Sequence, residues 1–561
     1  RVFQAFRRSL GTNPRTPILR TPKSAPPADE TSGETAAGGQ VAIIGVGGVL
    51  PGAHSFDQFF RNNLHQRCFI RDVPPWLWEQ DVFYSPDKSL ANSTYATVAA
   101  LIEDPDLDLS SFRIPPAVSA MVSRSQKLAL ICARTALRDA GLLDNESFDR
   151  DRTAVIMAAI GGGNLAAASG MTLSEELIFD RLKKIGDTNG VGSTINDLIG
   201  AYEEKYPRFT GNEDTLVGTS PNLVAGRIAS AFDLHGTNLT LDAACASSLA
   251  AIGTAVNSLQ TGDSDLVITG GVDTWIDIGA FVGFAQLTAL ASKGCFPFEA
   301  RAEGLVLGEG CGVVVLKRLD DALRDGNDIY SVIRGVGSSS DGSGQGITVP
   351  SSDGQVCAMQ RAYDLAGFDA NSLDYIECHG TGTAVGDPVE LSTIQRILAE
   401  APGQRHRSLP VASVKASVGH LRTAAGMAGL FNAMNVVQHR VVPPQTNFET
   451  PTAEFDWDQG NVHVPVTAES LHDGEIRVGV SAWGFGGTNY HLALSSPPRQ
   501  AKAPRFDVSE HLLPCVPKTD SDIAFLFPGQ GSQYVGMLAE ESKSEIGREF
   551  LSRADSIVQQ M

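Results

Sequence analysis

The chain has 561 residues, 42% of them hydrophobic and 19% charged, the balance of a soluble globular protein with a large core. Its net charge of −20 argues against nucleic-acid binding, which needs a basic footprint. No apolar run is long enough to span a bilayer. The eight cysteines form no CxxC pair and show no metal-ligand spacing, so a reduced, cytoplasmic protein without a bound metal is expected.

Residues 1–39 are rich in Pro, Ser, Thr, Gly and Ala and read as a flexible linker. Order is expected from Gln40, with a strand at Val41–Gly45. The glycines that follow do not make a dinucleotide site, because Leu50 stands where the fingerprint needs glycine and Pro51 obstructs a helix start. From there to about residue 496, apolar strands alternate with helical stretches: Thr153–Met157, Asp265–Thr269, Gly312–Leu316 and Leu373–Glu377 are strand candidates. That alternation predicts an α/β protein with buried sheets. A charged helical segment at about 172–214 interrupts it and reads as a surface insertion. Residues 497–521 read as a second linker, and an apolar strand at Ile523–Phe527 opens a further segment, 522–561.

One cysteine stands out. The run Leu239–Ala244 is strand-like, and a helix is expected from Cys245 to about Gln260, with Leu249, Ile252, Val256 and Leu259 on one face. Cys245 then lies on the first turn of a buried helix, where unpaired N–H groups and the helix dipole favour a thiolate. A small buried hydrophobe is the plainer reading of such a residue. Two histidines strengthen the chemical one. His379 follows a strand within Glu377-Cys-His-Gly-Thr-Gly-Thr383, and His420 closes Val414-Lys-Ala-Ser-Val-Gly-His420 just before a helical run. A glycine-dense turn, Gly484-Phe-Gly-Gly-Thr-Asn489, joins two further strands. Glycines at such positions let backbone approach a ligand closely.

Together with Pro297-Phe-Glu-Ala-Arg301 and its sequel to Gly310, these motifs closely resemble the β-ketoacyl synthases of type I polyketide and fatty-acid synthases. The resemblance covers residues 40–496. It implies a thiolase fold, five layers αβαβα built from two similar halves, assembled as a homodimer. It implies decarboxylative Claisen condensation of an enzyme-bound acyl thioester with malonyl-carrier protein. Cys245 would hold the acyl chain, and His379 and His420 would act on the malonyl group. The N–H groups of Cys245 and Phe485 would form the oxyanion hole, with the Phe485 ring gating the acyl pocket. Lys415 and Glu390 would form a buried supporting pair. Thr381 and Thr383 would bind the phosphopantetheine arm of an acyl carrier protein, although turn capping is their simpler role. No bound cofactor is implied.

The insertion and Ser220-Pro-Asn-Leu-Val resemble most the synthases of polyunsaturated fatty acids, with iterative polyketide synthases close behind. The short stretch between His491 and Phe525 leaves little room for the folded adaptor of modular synthases. Phe527-Pro-Gly-Gln-Gly-Ser-Gln533 resembles the opening of a malonyl-type acyltransferase, but no Gly-x-Ser-x-Gly elbow occurs. The chain reads as an excerpt of a longer polypeptide whose acyltransferase domain would be a partner. Ala416, Ser417, Leu421 and Arg422 depart from many relatives and are expected to be tolerated. A non-catalytic partner resembling a chain-length factor is disfavoured by the presence of Cys245 and both histidines. A thiolase-type acyl transferase would need a second cysteine in residues 481–490, and none is there.

Overall fold

The computed structural model describes residues 39–501, apart from 104–106, 108, 113, 144–147, 207, 344–345, 404, 406 and 500. The chain divides into a unit of residues 1–507 and one of residues 508–561, and the second lies outside the described residues. The expected linker at 1–39, all but its last residue, and the acyltransferase-like segment at 522–561 fall outside them too.

Ten of the eleven strands in the main sheet build two repeated halves; the eleventh, Val462–His463, adds parallel to Leu409–Ala412 at one edge. The first half contains β1 (Val41–Val49), β2 (Thr153–Ala158), β3 (Asn238–Leu241), β4 (Leu266–Asp273) and β5 (Gly310–Arg318). The second contains β6 (Ser331–Ser340), β7 (Tyr375–Glu377), β8 (Leu409–Ala412), β9 (Arg477–Gly484) and β10 (Thr488–Ser495). The first sheet runs in the order β3-β2-β4-β5-β1 and the second in the order β8-β7-β9-β10-β6. In each, the first three strands are mutually parallel and the last two antiparallel. Strand by strand, β6 to β10 repeat β1 to β5 in order and direction, so the fold is an internal duplication. A short antiparallel pairing, Val41 to Ile333 through Ile43 to Ser331, joins the sheets edge to edge.

Helices fill the layers. They are α1 (Arg124–Asp139), α2 (Asn164–Thr188), α3 (Gly192–Lys205), α4 (Leu223–Phe232), α5 (Ser247–Gln260), α6 (Ser352–Ala366), α7 (Gly386–Glu400) and α8 (Ala425–His439). Between the sheets α5 and α8 pack on each other, in a core that includes Leu249, Ile252, Met427, Leu430 and Phe431. Outside the first sheet lie α1 and α4, around Leu128, Leu130 and Ile228. Outside the second lie α6 and α7, around Met359, Tyr363 and Ile394. These are the five layers αβαβα of the thiolase fold. The middle helices are buried nearly all round, and α8 shows no exposed face from Ala425 to Val437.

The structure differs from the sequence reading at three borders. Strand β3 ends at Leu241 rather than Ala244, and a 3₁₀ turn, Ala244–Ala246, precedes α5. The insertion starts earlier, at Asn164, and a short helix, Thr215–Thr219, continues it past 214. Helix α8 starts at Ala425 and runs to His439, where the sequence suggests a helical run from Leu421 to Val437. In each case hydrogen bonding at an element's end shifts a boundary that periodicity alone leaves loose.

The strands β4 and β5 approach so closely that a Cβ on Gly270 would sit 2.0 Å from the carbonyl oxygen of Gly312. Gly270→Ala should therefore destabilise the protein by about 1–3 kcal/mol, the cost of overpacking a core, measurable as a lowered urea midpoint. An unchanged midpoint would show that the sheet can yield there.

Candidate active site

The duplication brings the two halves' middle-layer helices together at one end. Cys245 stands in the turn that leads into α5, and His420 stands just before the equivalent helix α8. The turn Ala244–Ala246 packs against both Arg422–Ala424 and β9. Ala244, immediately before the cysteine, has a left-handed φ of 52°. For a residue with a Cβ this conformation costs about 1–2 kcal/mol and occurs where the surroundings impose it. Here the Asp242 carboxylate accepts from the Ala244 N–H (2.8 Å), and the Ser247 hydroxyl donates to the Ala244 carbonyl (2.6 Å).

The Phe485 N–H is directed to the Cys245 sulfur closely enough to favour its thiolate. The hairpin turn that holds it lies against the cysteine's own turn: a Cβ on Gly484 would be 2.5 Å from the Ala243 carbonyl oxygen. The N–H of Cys245 has no protein acceptor among the described residues. Two backbone donors thus converge on the thiol region, while the Phe485 ring is 53% exposed at the surface. Burial pushes the Cys245 thiol above its ordinary value, opposed by the Phe485 N–H and by the cations Lys415 and Arg422. The sequence reading expected the helix start to favour the thiolate; desolvation is the larger effect here.

The rings of His379 and His420 lie 5.5 Å apart, nearly perpendicular at 83°. His420 is fixed at three points. Its N–H donates to Val306 (2.7 Å), its carbonyl accepts from Gly308 (3.1 Å), and its Nδ1 accepts the Arg422 N–H (3.1 Å). An Nδ1 that accepts leaves the proton of a neutral imidazole on Nε2, so His420 presents Nε2–H as a donor. Nδ1 of His379 is buried without a partner. Burial, reinforced by the Lys415 charge, holds both histidines well below the usual range, so both are neutral at physiological pH.

Glu390 and Lys415 are both buried, yet Lys415 makes no direct ion pair among the described residues. Glu390 instead accepts from the N–H groups of His379 and Gly380 (2.8 Å each) and from the Trp483 indole (3.0 Å). It pins the His379 loop by its backbone, and Lys415 acts on it through space. The Thr381 and Thr383 hydroxyls lie 3.1 Å apart, and Thr383 caps the start of α7 by accepting from Gly386 (3.2 Å). The capping role is therefore present for Thr383.

Three side chains that build the site were assigned no role from sequence. Asp387 accepts from Phe298 (2.9 Å), Thr381 (3.1 Å), Gly382 (3.1 Å) and Thr383 (3.4 Å). Its place at the start of a helix after a Gly/Thr loop was the available signal. Asp273 at the end of β4 pairs with Arg422, both buried, and also accepts from Thr423 and Trp275. No local pattern could announce a partner 149 residues away. Among the described residues no cluster of ligating side chains could hold a metal ion.

The β-ketoacyl synthase N-terminal domain matches residues 39–322 and its C-terminal domain residues 330–449. The chain belongs to the β-ketoacyl synthase family. It is 29% identical to a polyunsaturated fatty acid synthase of Thraustochytrium, over 90% of this chain and 18% of that protein. It is 32% identical to a highly reducing polyketide synthase of Alternaria cinerariae, over 82% of this chain and 18% of that protein. The chain therefore spans about a fifth of these relatives. Among solved structures, a ketosynthase from module 6 of the bacillaene synthase of Bacillus subtilis superposes with a TM-score of 0.67 at 27% identity, covering 82% of this chain and 72% of that one.

The thiol's surroundings can be tested directly. Alkylation of Cys245 by iodoacetamide, followed by peptide mass spectrometry, should show a pH midpoint above that of an ordinary cysteine. Lys415→Ala should move it higher still, because a cation that favours the thiolate is lost. A midpoint below the ordinary value would contradict this picture.

Proposed function

We propose that this chain is the condensing unit of an iterative synthase, extending an acyl chain by decarboxylative Claisen condensation with malonyl-carrier protein. The observation that carries the reading is the convergence of one thiol, two backbone N–H donors and two neutral imidazoles at one end of the middle helix layer.

In the first half-reaction the Cys245 thiolate attacks the thioester carbonyl of an acyl group borne on phosphopantetheine. The oxyanion that forms is met by the N–H groups of Cys245 and Phe485. The thioester C–S bond to the carrier breaks, the carrier sulfur takes up the proton that the Cys245 thiol gave up on ionising, and the acyl group stays on the Cys245 sulfur. In the second, the malonyl thioester loses CO₂, and its enolate oxygen accepts hydrogen bonds from Nε2–H of His420 and from His379. Neutral donors suit this step, since an imidazolium would protonate the carbanion. The carbanion attacks the acyl carbonyl, the C–S bond breaks, and Cys245 leaves as thiolate. Thr381 and Thr383, whose hydroxyls lie 3.1 Å apart, would hydrogen-bond the pantetheine arm.

The partners follow from the chemistry: an acyl carrier protein delivers both thioesters, and an acyltransferase domain of the same polypeptide, opening at about residue 522, loads the malonate. A second copy of the chain completes the assembly. Strand β3 is the outer strand of its sheet, and α2 exposes Leu173, Leu177, Ile178, Leu182 and Ile185. An open strand edge and an exposed apolar helix face are each ready interfaces. A cytoplasmic setting accords with the seven free cysteines among the described residues. No described helix is long and apolar enough to cross a membrane.

Cys245→Ala should abolish the acyl adduct seen by intact-protein mass spectrometry and all condensation. An adduct that persists on another cysteine would overturn the assignment. Cys245→Gln should lose acylation yet retain malonyl decarboxylation. His379→Ala and His420→Ala should each slow that decarboxylation by on the order of 10² to 10⁴, the worth of a donor used in the transition state. Wild-type decarboxylation by His420→Ala would refute the role given to it.

A further inference from the structure

The Glu377 side chain takes no part in the steps above, yet few carboxylates in the chain are so enclosed. It is 1% exposed and accepts three hydrogen bonds. Oε1 takes the Val414 N–H at 2.9 Å. Oε2 takes the Tyr375 hydroxyl at 2.6 Å and the Asn432 amide at 2.8 Å. Each donor lies on a different approach to the site. Tyr375 and Glu377 belong to β7, which ends two residues before His379. Val414 immediately precedes Lys415 in the loop that ends at His420. Asn432 lies on α8, the helix that His420 introduces, and its Oδ1 is held in turn by Asn63 at 3.0 Å. Glycine at 429 leaves room, since a Cβ there would stand 3.0 Å from Cγ of Glu377.

We propose that Glu377 is a positioning residue that ties the His379 loop, the Lys415–His420 loop and α8 into one rigid unit. The inference rests on the ketosynthase reading of the site. All three partners donate to it in this arrangement, which suits a carboxylate, an acceptor at both oxygens when ionised; the Tyr375 hydroxyl also accepts from Asn432 (3.1 Å). Burial pushes the Glu377 carboxyl up to about 7, opposed only in part by those donors and, through space, by Lys415; the other titratable groups beside it are Tyr375 and Cys378. Glutamine fits only if the amides around it rearrange. Its carbonyl could serve Val414, but its NH₂ would then face the NH₂ of Asn432. Asn432 can turn its amide over only if Asn63 turns as well, so that the Asn63 Oδ1, which has no partner among the described residues, accepts where its NH₂ now donates.

That frustration has a specific remedy. In Glu377→Gln with Asn432→Asp, the amide and the carboxylate exchange places, and the relocated carboxylate accepts from both the introduced amide and Asn63. The experiment uses the Cys245→Gln background, so that thiol reactivity plays no part, and measures decarboxylation of malonyl-carrier protein. Glu377→Gln should lower kcat by on the order of 10- to 100-fold, the cost of a small misplacement of catalytic groups, with KM unchanged. Adding Asn432→Asp should restore most of the rate, while Asn432→Asp alone should lose it. A general loss of stability would give no such rescue. If Glu377→Gln does not fold, the exchanged pair decides by itself: folded and active supports the proposal, and folded but inactive, or unfolded, overturns it. A parental rate in Glu377→Gln also overturns it. An inactive Cys245→Gln parent would instead sink the ketosynthase reading, and this inference with it.

Discussion

Removing ionisable groups from water is the constraint around which this site is organised. Cys245, His379, His420, Glu377, Asp387 and Glu390 all pass into a protein interior where the charged form of each is disfavoured. For the histidines that penalty is useful, because it keeps them neutral donors. For the cysteine it opposes nucleophilicity, and the Phe485 N–H, Lys415 and Arg422 stand against it. For the carboxylates it is opposed, though not overcome, by dense donation from backbone: Asp387 alone accepts from four N–H groups, yet burial still pushes it up to about 7. One environment therefore sets opposite requirements for acids and bases, and the surrounding loops meet them with N–H groups more than with counter-ions.

The duplicated architecture explains how so many loops reach one place. In an α/β unit the ends of parallel strands and the starts of the following helices share one edge. Each half offers such an edge, and placing α5 and α8 side by side in the middle layer sets the two edges against each other. The strand-to-helix turn after β3 carries Cys245, and its counterpart after β8 carries His420. His379 leaves β7, the central parallel strand of the second sheet, and Phe485 leaves β9 by way of a tight hairpin. A glycine reversal, with φ of 107° at Gly486 and 81° at Gly487, lets that hairpin turn its backbone toward the thiol.

Much of this was legible in the sequence, because the informative residues sit at element ends. Strand runs such as Thr153–Met157 and Gly312–Leu316 emerged within a few residues of where they were expected, and Cys245, His379 and His420 each declared themselves by a strand behind and a glycine or helix ahead. What could not be read was anything set by contact across the fold. The left-handed φ of Ala244 follows from the Asp242 and Ser247 hydrogen bonds, not from alanine's own preference. The direction of the Cys245 shift depends on how much protein surrounds it, which a helix-start argument does not contain. Lys415 and Glu390 were paired by resemblance, whereas the geometry gives Glu390 to the backbone of the His379 loop and leaves Lys415 to act through space.

The pair Asp273–Arg422 shows the same limit in its sharpest form. Arg422 looked like a tolerated departure beside His420. In the fold its guanidinium closes on Asp273 from the other half, and its own N–H sets the His420 tautomer. A buried pair adds little net stability over an apolar one of similar volume, because desolvating two ions is expensive. Breaking it by removing one partner costs about 3–5 kcal/mol. Such a pair is therefore better understood as a latch than as a source of stability: it discriminates against arrangements in which the two halves are displaced, since any of them would strand a charge. Asp273 ends β4 beside the cysteine's turn, and Arg422 follows the histidine, so the latch registers the nucleophile's half on the decarboxylating half at the point where their chemistry meets.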